Sequence, residues 1–153
     1  MDSDGIGFVA AVFVIVGVGV GIVALAATGW AESAFVTDAT GDAERFGPVF
    51  LAQLYLSVTV AALVVAPALA AVTGVLVGSR AYGHTEAATT CGIGAGIGAL
   101  GYGLVVVAFV VGSQGSAAGQ AYGVVETLGP VGATVVASAI VGSVTGVLGS
   151  TAG

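Results

Sequence analysis

Four long apolar runs separated by three polar intervals dominate the pattern of this chain. No charged side chain occurs in 6–28, 49–78, 88–112 or 128–149. Each run exceeds the ~20 residues with which a helix, rising 1.5 Å per residue, crosses about 30 Å of hydrocarbon. The pattern predicts four spanning helices over these ranges, an all-α integral membrane four-helix bundle forming one domain over 1–153. A transmembrane β-barrel is excluded by the same pattern, because barrel strands alternate apolar and polar residues over about 10 positions. The interval 29–48, with "TDATGDAERFGP", has turn residues and charges but little apolar periodicity, and reads as an acidic surface loop. As a helix, 49–78 would measure about 45 Å, longer than the hydrocarbon core. Pro67 inside it removes one backbone hydrogen bond, which predicts a kink there.

Glycine is concentrated in the third run, in "CGIGAGIGALGYGLVVV" from Cys91 to Val107. Gly96, Gly98 and Gly101 match the dinucleotide fingerprint G-x-G-x-x-G, but a phosphate cradle needs a preceding strand, a βαβ unit and an acid about 20 residues on. The flanks here are apolar, and 115–122 holds no acid. A helix explains more. At 100° per residue, Gly92, Gly96 and Gly103 fall within about 40° of one another, and Gly94, Gly98 and Gly101 lie opposite them. Ile93, Ile97, Leu100, Leu104 and Val107 occupy a third sector. The third helix thus presents two bare grooves for neighbours and one bulky ridge for lipid. The first helix carries one small-residue stripe (Ala10, Gly17, Gly21, Ala24). The fourth carries another (Ala139, Gly142, Gly146, Gly149), with Ser138 and Thr145 alongside. Hydrophobic burial drives little association inside hydrocarbon, and small residues let van der Waals contact do it instead. Packing within the chain is the first use of these stripes. The second groove of the third helix adds a possible face for another copy or another membrane subunit.

Composition supports the membrane solvent and adds an environment. The chain of 153 residues is 58% hydrophobic and 7% charged, against about 25% charged in soluble domains, and its mean hydropathy is +1.15. The start "MDSDG" is acidic rather than basic, so residues 6–28 read as a retained helix and not a cleaved signal. Net charge is −6 and lysine is absent. Acidic, lysine-free exposed segments joined to Ala/Gly/Val-rich helices resemble membrane proteins of salt-loving archaea, a likeness of composition over the whole chain that names no functional family. In multimolar salt the Debye length falls below ~3 Å, so the neighbouring carboxylates Asp38, Asp42 and Glu44 would repel little. Acidity argues against nucleic acid as a partner; membrane lipid is the partner that composition implies. Four spans place both ends of the chain on the side of the loop Ser79–Ala87. The two arginines tie under the positive-inside rule, but Arg45 lies among acids in the longer loop, so the expected orientation has both termini cytoplasmic in a cell membrane. Trp30, Phe46, Tyr55 and Tyr122 would then gather at the outer interface, and Tyr82 at the inner one.

Chemistry-bearing groups are sparse. His84 is the only histidine, Cys91 the only cysteine, and nothing in their spacing builds a nucleophile–base pair or a metal site. The expectation is a non-enzyme with no cofactor, and with the acidic cluster as a hydrated face. A candidate polar pathway comprises Gln53, Tyr55, Ser57 and Thr59 in the second run, Tyr102 in the third, and Glu126 and Ser138 near and within the fourth. Ionisable groups inside a membrane merit a functional hypothesis, but Glu126 falls just before the fourth run. Segment 113–126 is glycine-rich, as are the proteolipid ring subunits of rotary ATPases, which need a mid-membrane carboxylate that Glu126 would not supply from there. The sequence therefore points to a non-catalytic accessory or scaffold protein that associates through glycine-lined helix faces. The alternative is a passive channel or small-solute transporter.

Overall fold

The computed structural model describes residues 3–37, 40–113 and 124–152. Helix α1 spans Ser3–Glu32 and continues into a π-helical turn, Ser33–Thr37. Helix α2 spans Asp42–Gly78, α3 His84–Ser113 and α4 Val124–Ala152. The described residues contain no strand. All four helices are long and apolar enough to cross a membrane and fit a multi-pass membrane protein.

Every helix outruns its charge-free run, and the acidic loop expected over 29–48 is largely helical. Charge-free length is a lower bound, because a helix satisfies its own backbone and can carry polar side chains into the headgroup and water layers. Glu32 therefore continues α1, and Asp42 and Arg45 lie in the first turn of α2. A turn at Gly41, whose φ is +65°, separates α2 from the segment before it. The chain folds back closely here. The Phe35 carbonyl approaches Gly47 so nearly that a Cβ there would overlap it. Phe35 also meets Trp30 edge-on at 5.9 Å between ring centroids and Phe50 at 6.0 Å. Trp30 and Phe46 do share this end of the bundle; the side chain of Tyr55 and all of Tyr122 lie outside the described residues. Helix α4 begins four residues before the expected 128, so Pro130 is inside it and Glu126 belongs to its first turn. Helix α2, 37 residues long, measures about 55 Å and runs through both Pro48 and Pro67.

Helix α3 is the centre of the arrangement. It packs along α1 on one side and α4 on the other, and α4 packs in turn along α2. Contacts of α2 with α3 and α1 are slighter, and α1 does not touch α4 among the described residues. The alternating chain direction makes α1 parallel to α3 and α2 parallel to α4. Ser3, the Ser79–Gly83 turn and Ala152 consequently lie at one end. The core consists mostly of small side chains: Ala62, Ala66 and Ala70 of α2 and Ala95 and Ala99 of α3 surround Val9, Phe13, Tyr102 and Val106. Large apolar side chains point outward instead, Ile15 at 71% exposure and Val23 at 68%. That inversion of the soluble pattern suits a chain whose surroundings are as apolar as its interior.

Candidate functional site

The glycine faces are the most specific feature of the sequence, and within the chain each already has an occupant. On the first groove of α3, a Cβ added to Gly94 would lie 3.0 Å from Val9 Cβ, and one on Gly98 would lie 2.8 Å from Phe13 Cγ. Gly101 faces Val14, 3.1 Å from its Cγ2 by the same measure. The relation is reciprocal, since α1 receives α3 at its own glycines: Gly17 faces Tyr102 (3.1 Å to Cδ2) and Gly21 faces Phe109 (2.6 Å to Cδ2). Each aromatic ring of this contact rests where the opposite helix lacks a side chain.

The second groove is filled by α4. Gly92 faces Ser143 and the Ala139 carbonyl, Gly96 the Ala139 methyl at 3.4 Å, and Gly103 the Val131 side chain at 3.0 Å. From the α4 side, Gly142 meets Ala95 Cβ and the Cys91 carbonyl, both at 2.8 Å, and Gly146 meets the Ala87 carbonyl at 2.8 Å. Cys91 is buried at this crossing, its thiol 3.6 Å from the Gly74 carbonyl. The ridge of Ile93, Ile97, Leu100 and Leu104 is left exposed, while Val107 is half-buried.

Sequence reading missed one close seam, between α2 and α4. A Cβ on Gly78 would overlap the Gly146 carbonyl oxygen and lie 2.8 Å from the carbonyl carbon and Cα of Gly146. Gly74 abuts Thr145 and the Gly142 carbonyl, and Gly149 lies against the Val75 carbonyl. Here backbone meets backbone. The signal was present as two four-residue glycine spacings, Gly74/Gly78 and Gly142/Gly146, the spacing that lets membrane helices approach closely. Thr145 adds a polar tie: its hydroxyl donates to Val141 O at 2.7 Å and is 3.3 Å from Ala70 O across the seam.

Among the described residues the members of the candidate polar pathway are not brought together. Gln53 and Ser57 are exposed, and the Ser57 hydroxyl donates to the Gln53 carbonyl of its own helix at 2.9 Å. Tyr102 is 2% exposed, and its hydroxyl donates across to Ala62 O at 2.9 Å. Ser138 is fully buried, with no partner for its hydroxyl. Helical geometry separates the two sets, because Gln53 and Ser57 lie about 140–180° around α2 from Ala62. The side chains of Tyr55 and Glu126 fall outside the described residues. His84, expected as a loop residue, begins α3 and joins Ser150 of α4 at 2.8 Å through Nδ1. Among the described residues no three His, Cys, Asp or Glu side chains form a cluster that would hold a metal ion.

No protein-family model matches this chain, and it matches no curated protein and no solved structure.

Proposed function

We propose that this protein is a non-catalytic accessory or scaffold subunit of a cell membrane, with the end carrying Ser3, the Ser79–Gly83 turn and Ala152 on the cytoplasmic side. The observation that carries the reading is where the bare faces go. Both grooves of α3 are taken by α1 and α4, and α2 is seated on α4 by backbone contact. At mid-bundle Tyr102 is anchored to Ala62. Such close packing at mid-bundle favours a rigid support over a conduit. It also moves the partner surface: a second copy or another subunit would meet the outward faces, not the α3 grooves, which are in use. The composition, acidic and without lysine, supports a high-salt habitat.

Two measurements test this. Purified in mild detergent at high salt, the protein should appear as an oligomer or bring a membrane partner with it; a partnerless monomer would remove the scaffold role. In sealed liposomes it should pass no more ions or small solutes than protein-free vesicles. Flux that Tyr102→Phe alters would replace this reading with a conduit.

A further inference from the structure

Helix α2 gives one face to its neighbours and leaves the opposite one bare. The side carrying Ala62, Ala66 and Ala70 is buried in the bundle. On the far side, Phe46, Gln53 and Val60 stand seven residues apart, with Val49 and Leu56 between them. These five fall within about 80° of one another, and all are exposed. Their spacing is the a/d pattern with which two helices pack along a shared seam. Four of the five are apolar, as residues facing lipid are. Gln53 is the exception.

Gln53 carries the one side-chain amide among the described residues. Its backbone carbonyl accepts from the Ser57 hydroxyl at 2.9 Å, which satisfies Ser57 within the helix. Its carboxamide makes no hydrogen bond among the described residues. Ala62, bonded to Tyr102 at mid-bundle, stands midway between Arg45 and Arg80 in the sequence and so marks the level of the bilayer centre. Gln53 precedes it by about 14 Å along the helix axis, inside the ~15 Å half-thickness of the hydrocarbon. Tilt of α2 brings it nearer the centre still. At that depth little water competes for an amide, and an amide left unmet there is costly.

We infer that this face of α2 is the contact between two copies of the chain, with the two Gln53 carboxamides bonded to each other at a two-fold axis. The inference rests on the scaffold reading above and names its partner and face. Copies inserted with one topology are related by an axis along the membrane normal, so each residue meets its equivalent at its own depth. A carboxamide is donor and acceptor at once and therefore complements itself. A polar residue at a single a position of an apolar seam also fixes register and pairing, which contact between valine and leucine side chains leaves open.

Cysteine cross-linking in proteoliposomes locates the contact. Under mild oxidation Val60→Cys should give a disulfide-linked dimer and Ile97→Cys, on the exposed ridge of α3, should not. The parent, whose one cysteine is buried, supplies the blank. In density-matched detergent, sedimentation equilibrium should show Gln53→Leu weakening the dimer roughly tenfold, the scale of one hydrogen bond between helices in a membrane. Gln53→Asn, which keeps the amide, should retain most of the affinity. An unchanged circular dichroism spectrum for Gln53→Leu separates lost pairing from lost folding. Cross-linking through Ile97→Cys equal to that through Val60→Cys, or a dimer indifferent to Gln53→Leu, would overturn this face and leave the scaffold reading standing. A monomer that brings a different membrane protein with it would do the same, whereas a monomer without any partner would remove both.

Discussion

The contact between Gly78 and Gly146 makes a prediction whose sign is opposite to ordinary helix propensity. In a helix interior, Gly→Ala stabilises by about 1 kcal/mol, because alanine loses less backbone freedom. At Gly78 the added Cβ would overlap the Gly146 carbonyl oxygen and lie 2.8 Å from two more backbone atoms. Carbon atoms in contact settle at roughly 3.5–4.0 Å, so α2 and α4 must part by about 1 Å. No rotamer change relieves this, since the obstacle is backbone. Overpacking costs about 1–3 kcal/mol, and a separation of ~1 Å also forfeits a quarter to a half of each dispersion contact along the seam. Gly78 is the last residue of α2, so the propensity gain is at most about 1 kcal/mol; set against the upper end of overpacking, about 3 kcal/mol, Gly78→Ala should destabilise by at least about 2 kcal/mol. Gly19 of α1 is the control. It is exposed, and a Cβ there meets nothing within 4 Å, so Gly19→Ala should stabilise by up to about 1 kcal/mol. The two variants should differ by about 3 kcal/mol, roughly a hundredfold in the unfolding equilibrium. Reversible unfolding by increasing SDS in mixed micelles, followed by circular dichroism, reads both. A Gly78→Ala protein as stable as the parent would refute the argument that backbone contact holds α2 to α4.

Other substitutions probe the remaining contacts. Gly98→Ala should cost about 1–3 kcal/mol, because the fully buried Phe13 ring has nowhere to retreat; adding Phe13→Leu should recover part of that loss in the same unfolding assay, and simple additivity would show that the two positions are not in contact. Tyr102→Phe should lower stability by about 0.5–1.5 kcal/mol through loss of its bond to Ala62 O, and no loss would mean that bond is not made in the bilayer. Ser138→Ala removes a fully buried hydroxyl that lacks an acceptor and should be neutral or stabilising by up to ~1 kcal/mol; a clear destabilisation would reveal a partner for it.

The extent to which this architecture is legible in the chain depends on the range of the interaction. The division of Gly92, Gly96 and Gly103 from Gly94, Gly98 and Gly101 follows from helical period alone, and the structure sets those two groups against α4 and α1 respectively. Helix ends were less legible, because charge marks where the bilayer stops and not where the helix stops; Glu32 and Asp42 are the examples. The α2·α4 seam was overlooked because Gly74 and Gly78 stand in a run dominated by valine, leucine and alanine, without the glycine density that distinguishes α3. The polar residues misled for a related reason. Gln53 and Ser57 share a stretch of sequence with Ala62, but a turn of roughly half a circle puts them on the other face of the same helix.

By itself the sequence determined the solvent, the number of spans and the angular position of the bare faces of α1, α3 and α4, since these depend only on side-chain polarity and on a period of 3.6 residues per turn. Tertiary structure alone decided which helix fills which face, and it did so by consuming both grooves of α3 inside the chain. It alone also gathered Asp4, Arg80, Glu86 and Thr90 around one cavity. A groove advertises closeness but not the identity of its neighbour. Van der Waals contact in hydrocarbon is indifferent to sequence and strict about shape, so the pairing is settled only when all four helices compete for the same surfaces.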